Sequence, residues 1–173
     1  MSININGKND INGRYKMPKV KISLAGKGNG KFTMIRNLED VSKSIGHPFK
    51  ILLKFIGISL NCNSNDEKMC MTGHYTEEEI QSKINLYNKL YVLCPTCNLP
   101  ELTPEIIGKK KKKSINVKCS ACGATNKLCD DNKDFDKGLK ILINYIEKNG
   151  WSVVKGTMVE TTKQSNNPFA KVF

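Results

Sequence analysis

Two Cys-x-x-Cys pairs carry the most specific chemistry in this sequence, Cys94-Pro-Thr-Cys97 and Cys119-Ser-Ala-Cys122. Each pair places two thiolates close enough to share one ion, and four thiolates form the closed tetrahedral site that Zn²⁺ favours. A redox-active pair or chance spacing would give the same pattern. The 21 residues between the pairs suffice for a strand, a turn and a returning strand, so we predict a zinc ribbon. A closed four-cysteine site does not activate water, and the zinc is therefore predicted to be structural.

Arg14 is the second candidate for chemistry, within Gly13-Arg-Tyr-Lys-Met-Pro18. It follows a polar stretch, stands beside an aromatic residue, and precedes a proline at which the ordered domain is expected to begin. An arginine in such a place can reach into a partner, and in a GTPase site it can neutralise charge on the transferred phosphoryl group. From the residues alone, an ordinary solvated arginine is the simpler interpretation.

A glycine-rich loop, Gly26-Lys-Gly-Asn-Gly30, is followed by Lys31. It lacks the Walker spacing and the Gly-Lys-Ser/Thr ending, and it lies between two predicted strands rather than before a helix, which argues against a nucleotide site. Its glycines allow positive φ and close approach of the backbone to a partner. We therefore take Gly26, Lys27, Gly28, Asn29, Gly30 and Lys31 as candidate RNA-binding residues.

No other constellation of residues suggests a nucleophile or a pair of catalytic carboxylates, so an enzyme in its own right is disfavoured. Cys62, Cys70 and Cys129 are interpreted as buried or idle thiols rather than metal ligands. His47 and His74 are isolated in the sequence, and we interpret both as structural or surface residues.

Composition favours a polyanionic partner. The chain has 173 residues and a net charge of +12. Residues 1–60 hold eleven basic and three acidic groups, residues 61–108 three and seven, and residues 109–150 eleven and five. Two basic parts separated by an acidic stretch are typical of nucleic-acid binding, and lysine supplied for solubility is the alternative.

The cysteine content indicates a reducing, cytoplasmic setting. Seven cysteines would be an odd number for a secreted disulfide framework, and thiols stay free for metal in reducing compartments. The sequence shows no apolar signal segment and no run of about 20 apolar residues that would span a membrane.

Hydrophobic periodicity predicts the elements of the first half. Residues 19–25 and 31–36 alternate as two strands of a hairpin with the glycine loop at its tip. Asn37 is expected to cap a helix that presents Leu38, Val41 and Ile45 on one face. The run 51–56 is apolar enough to predict a buried strand, in which Lys54 is the exception.

The second half begins with a capping box, Thr76-Glu-Glu-Glu79, which predicts a helix running to Tyr91. The ribbon is predicted over 92–128, with Lys109–Lys113 as an exposed hairpin tip. That lysine run fits a localisation signal or a solvated loop as well as an RNA contact. An amphipathic helix follows, with apolar residues at spacings of four, three and four: Phe135, Leu139, Leu142 and Ile146.

These motifs together resemble those of the N-terminal domain of eukaryotic translation initiation factor 5. The residues that carry the resemblance are Arg14-Tyr-Lys-Met-Pro18, Gly26-Lys-Gly-Asn-Gly30, Val92-Leu-Cys-Pro-Thr-Cys97 with Pro100-Glu101, and Cys119-Ser-Ala-Cys-Gly123. It covers about residues 1–150 in the correct order. The ribbon alone is shared with the beta subunit of initiation factor 2, whereas the first two motifs favour factor 5.

The resemblance implies activation of GTP hydrolysis by initiation factor 2 within the scanning preinitiation complex. The family's tail arginine falls on Arg14, and a lysine important for activation falls on Lys54. A second family lysine falls on Phe32, with Lys31 one position earlier, and strand alternation would turn these two side chains to opposite faces. The implied role of Gly26–Gly30 is approach to the codon and to the anticodon of the initiator tRNA.

The implied architecture is α+β, with a small α/β subdomain similar in fold to initiation factor 1 followed by the zinc ribbon and a C-terminal helix. We expect the following divisions: a flexible tail at 1–15, the subdomain at 16–91, the ribbon at 92–128, the helix at 129–150, and a tail or linker start at 151–173. Full-length family members continue into a helical-repeat domain, so we expect this chain to be a fragment or an unusually short member.

The expected partners are initiation factor 2 with GTP and initiator tRNA, together with the RNA of the small ribosomal subunit and mRNA. The alternative is an RNA-binding zinc-ribbon module, similar to the beta subunit of initiation factor 2, that does not activate a GTPase. Arg14 would then be dispensable.

Overall fold

The structure is a computed structural model that describes residues 1–8, 13–109 and 113–151. Its helices and antiparallel sheets confirm the α+β class. In chain order the elements are β1 (Ser2–Asn4), β2 (Lys16–Pro18), β3 (Ile22–Ala25), β4 (Phe32–Ile35), α1 (Leu38–Ile45), α2 (Phe49–Ser59), β5 (Ser64–Asn65), β6 (Cys70–Thr72), α3 (Glu77–Tyr87), β7 (Leu102–Ile107), β8 (Ser114–Cys119), β9 (Thr125–Lys127) and α4 (Phe135–Asn149).

The predicted hairpin with the glycine loop is confirmed. Strands β3 and β4 pair antiparallel, with Ile22 opposite Ile35, and they belong to a sheet of order β3-β4-β6-β5. Thr33 and Ile35 of β4 and Met71 of β6 are buried, whereas their neighbours along each strand are more accessible. This two-residue alternation puts one sheet face on the core and leaves the other towards solvent.

Helix α1 is confirmed, but Asn37 does not cap it with its side chain. The Asn37 amide instead bridges the chain before β3: its oxygen accepts from the Lys21 amide and its nitrogen donates to the Lys19 carbonyl, both at 2.8 Å. Asn37 therefore ties the start of α1 to the entry of the hairpin. The helix ends at Gly46, whose φ of 74° is a conformation that favours glycine.

The predicted buried strand over 51–56 is wrong, because these residues lie inside helix α2. Pro48 precedes the helix, and its fixed φ is compatible with a helix start. Helix α2 is buried on most of its surface, so the apolar run shows no helical stripe and cannot be distinguished from a strand by periodicity. Lys54 is exposed while Leu53 and Phe55 beside it are buried.

The predicted capping box is present at the start of α3. The Glu79 amide donates to the Thr76 hydroxyl at 3.2 Å, and the Thr76 amide donates to the Glu79 carboxylate at 2.8 Å. The helix continues into a π-helical turn at Asn88–Val92, which leads directly to the first cysteine pair. Helix α3 and this turn therefore set where the ribbon begins.

The C-terminal helix α4 is confirmed, and its glycine permits close packing. A Cβ on Gly138 would lie 2.4 Å from the Tyr91 hydroxyl and 2.8 Å from the Phe55 ring. The Tyr91 hydroxyl donates to the Phe135 carbonyl at 2.6 Å, and the two rings are stacked. Helix α4 contacts both α2 and β8, so it joins the ribbon to the rest of the fold.

Part of the segment 1–15, which was expected to be a flexible tail, belongs to the folded domain. Residues 2–4 form β1, which pairs with β2 and places Asn4 opposite Lys16. Ile5 and Met17 are 2% and 0% exposed. The hydrophobic pattern did not predict this strand, because its polar residues outnumber its single apolar residue. Residues 9–12 lie outside the described residues.

At the other end, Trp151 packs on His47 with ring centroids 4.7 Å apart, and the rest of the predicted tail lies outside the described residues.

Strands β7 and β8 pair antiparallel on either side of the lysine run, as predicted, although residues 110–112 are also outside the description. Within the described residues, no helix is both long and apolar enough to cross a bilayer. The domain boundaries stay a prediction. Buried residues before and after residue 92 pack in one continuous hydrophobic cluster, so burial does not mark a boundary there.

His47 is a structural residue, as predicted. It is 4% exposed, and its Nδ1 lies 2.7 Å from the Tyr87 hydroxyl. Burial lowers the pKa of His47 from 6.5 to about 3. The histidine therefore stays neutral in the folded chain at pH values where the unfolded chain would protonate it.

We predict that His47 makes the fold sensitive to mild acid. Between pH 6.5 and about 3 the unfolded chain binds a proton on His47 that the folded chain does not, so stability is lost as the pH falls. Urea unfolding should show that the difference in free energy of unfolding between the natural chain and His47→Gln shrinks by about 1.4 kcal/mol from pH 7.5 to pH 5.5. Contributions of the cysteines cancel in this difference. A difference that is constant with pH would contradict the prediction.

Candidate metal centre and exposed cationic residues

The four knuckle cysteines converge on one point. Their Sγ atoms all lie within 4.8 Å of one another, with Cys94 and Cys122 3.8 Å apart and Cys97 and Cys119 3.6 Å apart. A disulfide would bring two sulfurs to about 2.05 Å. A tetrahedron of sulfurs about 2.3 Å from a central ion has edges of about 3.8 Å, which matches these separations. The cluster can therefore hold a metal ion.

The two knuckles have the same backbone design. In each, the amide four residues after the first cysteine donates to that cysteine's carbonyl: Asn98 to Cys94 at 2.8 Å and Gly123 to Cys119 at 2.9 Å. Asn98 and Gly123 have φ values of 59° and 76°, in the left-handed region. In each, the first cysteine's amide also donates to the carbonyl five residues on. The repeated turn curls each pair of sulfurs around a common centre.

The electrostatics of the cluster favour a bound cation. Burial opposes ionisation of Cys94, but hydrogen bonds from the backbone amides of Cys97 and Thr96 outweigh it and lower the pKa of Cys94 to about 7. Burial and the neighbouring sulfurs raise the pKa of Cys97 to about 12. One thiolate therefore forms readily, whereas four together would repel one another unless a cation lay between them.

The remaining cysteines are outside this cluster, in agreement with the prediction. Cys62 and Cys70 are half-buried and Cys129 is exposed. Burial, followed by a hydrogen bond with Cys62, raises the pKa of Tyr75 to about 12. This contact gives Cys62 a packing role beside Tyr75.

Arg14 is exposed on the turn that leads into β2. It borders a shallow cleft of about 280 Å³ between the N-terminal strands and the first knuckle, lined by Asn4, Asn6, Gly13, Tyr15, Asn98, Leu99 and Pro100. Among the described residues, no acidic side chain forms an ion pair with Arg14. Its guanidinium thus faces solvent from an ordered part of the fold.

Lys54 is separate from Arg14 in the structure. It lies on the exposed side of α2, 53% exposed, with its ammonium 3.6 Å from the Asp66 carboxylate. Such an exposed pair contributes at most about 1 kcal/mol, so Lys54 can exchange Asp66 for another anion at little cost. Among the described residues, Arg14 and Lys54 share neither an ion-pair partner nor a cleft.

The glycine loop is wholly exposed from residue 26 to residue 31. A Cβ on Gly26 would lie 1.9 Å from the Gly30 carbonyl oxygen, so only glycine fits there, whereas Gly28 and Gly30 have no described atom within 4 Å of their Cβ positions. Lys27 and Lys31 form no ion pair within the described residues. The loop therefore has a tightly closed base, where only glycine fits, and an open, basic tip.

Phe32 begins β4 and lines a second shallow cleft on the open sheet face, together with Lys68 of the β5–β6 turn. Lys31 precedes the strand and is exposed. The structure thus puts an aromatic ring, rather than an ammonium, at the position where the resemblance expects a lysine. At the ribbon tip, Lys113 pairs with Glu147 of α4.

One contact at this site was missed by the sequence reasoning. The Tyr15 hydroxyl donates to the Glu101 carboxylate at 2.8 Å, and so joins residues that are 86 positions apart in sequence. Tyr15 and Glu101 lie in two of the quoted motifs, but only the folded chain shows that they meet. The contact links the neighbour of Arg14 to the ribbon.

Known proteins resemble this chain over most of its length. A family model, described as a domain found in initiation factors 2B and 5, matches residues 6–125. The chain is 35% identical over 138 residues to eukaryotic translation initiation factor 5 of Dictyostelium discoideum, which covers 79% of this chain and 32% of the relative.

Two further relatives give similar values. The factor 5 of Mus musculus is 31% identical over 158 residues, covering 81% of this chain and 36% of the relative. A probable factor 5 of Schizosaccharomyces pombe is 32% identical over 114 residues, covering 64% and 28%. The chain thus matches about a third of the length of these curated relatives.

We predict that the cysteine cluster binds metal and that the ribbon depends on it. Cys119→Ser should abolish metal binding and unfold the ribbon, because metal binding supplies much of the folding free energy of such a small unit. Elemental analysis of the purified natural chain should find about one equivalent of metal, and circular dichroism should show loss of structure in the variant.

The matched control is Cys129→Ser, which replaces an exposed cysteine outside the cluster and should leave metal content and fold unchanged. Less than half an equivalent of metal in the natural chain would contradict the prediction.

Proposed function

This chain belongs to the family of domains found in initiation factors 2B and 5, and from that premise we propose that it acts in translation initiation by stimulating GTP hydrolysis by initiation factor 2. It would do so inside the preinitiation complex, in the cytoplasm, and would contribute to start-codon recognition. The resemblance of its motifs to the factor 5 N-terminal domain, together with the factor 5 relatives, supports the assignment.

The observation that carries the proposal is the placement of Arg14. The arginine is exposed, has no acidic partner among the described residues, and sits on a turn fixed by strand pairing on its C-terminal side. An exposed guanidinium on an ordered turn is suited to entering a partner's GTPase site. There it would place two N–H groups on phosphoryl oxygens as negative charge develops.

The proposed cofactor is one structural Zn²⁺, held by Cys94, Cys97, Cys119 and Cys122. The sulfur-to-sulfur separations and the all-thiolate donor set suit zinc, which in such a closed site supplies folding energy rather than reaction chemistry. The chain's own contribution to hydrolysis would come from Arg14, with Lys54 assisting through its exposed ammonium.

The glycine loop is the proposed RNA contact. Its exposed backbone and the ammonium groups of Lys27 and Lys31 suit the phosphates of ribosomal RNA, mRNA and initiator tRNA, where charge dominates affinity. Initiation factor 2 carrying GTP and initiator tRNA is the proposed protein partner.

Replacing Arg14 tests the proposal. Arg14→Ala and Arg14→Lys should both lose most of the stimulation. An arginine supplied in trans accelerates GTP hydrolysis by about 10³–10⁵-fold, and the lysine ammonium lacks the planar fork of the guanidinium group. Lys54→Ala should lose part of it. The measurement is single-turnover GTP hydrolysis by a reconstituted initiation complex at saturating protein.

Arg36 provides the matched control, because it is the chain's other arginine and is also exposed. Arg36→Ala removes the same charge and should keep full stimulation. If Arg14→Ala stays within about twofold of the natural chain, equivalent to ~0.4 kcal/mol of barrier, the activator role fails and RNA binding without GTPase activation is favoured.

A second prediction concerns the glycine loop. Gly30→Val places a branched side chain in open space, so the fold should remain intact while close approach to RNA is blocked. Affinity for the small-subunit initiation complex should fall at least about fivefold, or about 1 kcal/mol. Ser44→Val, at an exposed site on α1, is the control. Unchanged affinity and unchanged start-codon stringency with Gly30→Val would refute the contact.

A further inference from the structure

Two structural units meet beside Arg14. One is the N-terminal pair of strands, β1 and β2, and the other is the metal ribbon, whose first knuckle forms the opposite wall of the shallow cleft. The position of Arg14 in space therefore depends on how these two units are held together.

The N-terminal pair is fixed to the α/β core on one side. Met17 of β2 is fully buried, and the Asn88 amide reaches the Met17 sulfur at 3.5 Å and the Ile5 carbonyl at 3.4 Å. The Ile5 amide donates to the Tyr15 carbonyl at 3.1 Å, which closes the strand pair next to Arg14. These contacts hold the backbone of β2 and of Tyr15, which directly follows Arg14.

The second attachment is the hydrogen bond from Tyr15 to Glu101. Glu101 belongs to the ribbon: its carbonyl accepts from the Ser120 amide at 2.9 Å, and its own amide donates to the Leu99 carbonyl at 3.0 Å. Ser120 directly follows Cys119, a ligand of the metal cluster. A short chain of bonds thus runs from the second knuckle through Glu101 and Tyr15 to the residue beside Arg14.

We propose that Tyr15 and Glu101 are positioning residues, which hold the Arg14 turn against the metal ribbon so that the loaded ribbon determines where the arginine is presented. This rests on the proposed function only for what Arg14 does once it is in place. A hydroxyl that donates to a carboxylate makes one of the stronger side-chain hydrogen bonds, and this one is partly shielded from water.

The first test measures the turn itself and does not involve a GTPase. Hydrogen exchange followed by mass spectrometry should show faster exchange over residues 13–18 in Tyr15→Phe, which deletes only the hydroxyl oxygen. Glu101→Ala should do the same, whereas Glu101→Gln keeps an oxygen acceptor and should restore most of the protection. Tyr145→Phe, which removes a hydroxyl on α4, is the matched control and should leave these residues unchanged.

Metal removal supplies the second arm of that test. A chelator should accelerate exchange over residues 13–18 in the natural chain, and should add little in Tyr15→Phe, where the link is already broken. The double variant Tyr15→Phe with Glu101→Ala should be no faster than the more affected single variant, because both changes remove one shared interaction.

The third arm is single-turnover GTP hydrolysis by the initiation complex. Tyr15→Phe should keep normal melting and complex binding but reduce stimulation about tenfold, the effect of losing one positioning hydrogen bond. Added to Arg14→Ala, the same change should have no further effect. A tyrosine with a merely structural role would lower melting and leave the rate at saturating protein unchanged.

The outcomes separate the two proposals. Unchanged exchange over residues 13–18 in Tyr15→Phe overturns the positioning role, whatever the rates show. Accelerated exchange, with stimulation lost in Arg14→Ala and reduced in Tyr15→Phe, supports it. If Arg14→Ala hydrolyses GTP at the natural rate, the activator function fails, and the exchange data still decide whether Tyr15 and Glu101 hold the turn.

Discussion

Convergence of four sulfur atoms is the constraint on which much of this structure depends. The ribbon contributes only a few buried apolar side chains, among them Leu102, Ile115 and Val117, which is too little to hold three short strands together without help. Two backbone turns of the same design bring the four sulfur atoms within 4.8 Å of one another, so the cluster can hold a metal ion. The ribbon packs through β8 on helix α4, and α4 in turn packs on α2.

The placement of Arg14 follows from that arrangement. Strand pairing and the buried Met17 secure the chain that follows Arg14, and the Tyr15–Glu101 hydrogen bond connects the same stretch to the ribbon. In the proposed function Arg14 acts in trans and gains from such support, because every degree of freedom frozen before binding reduces the entropy lost when it enters its partner. If the proposed function holds, a structural metal in the ribbon would influence phosphoryl transfer in this way without taking part in it.

Much of the fold could be predicted from local signals. Three predictions rested on short stretches of sequence, and the structure agrees with each. They are the capping box at Thr76–Glu79, the strand alternation around the glycine loop and the apolar helix stripe that ends at Ile146. Helix α2 was mistaken for a strand because burial on most sides removes helical periodicity. Strand β1 and the close approach at Gly138 depend on residues distant in sequence, so no local pattern could have indicated them. The cysteine cluster was predictable from spacing alone, whereas Tyr15 and Glu101 meet only in three dimensions.

The most direct test of the proposed function is the rate of single-turnover GTP hydrolysis by initiation factor 2 in a reconstituted initiation complex, measured with and without this chain at saturating concentration. We expect the metal-loaded chain to accelerate hydrolysis by several orders of magnitude, in the range of about 10³–10⁵ known for arginines supplied in trans. An unchanged rate, in a complex to which the chain demonstrably binds, would contradict the activator role.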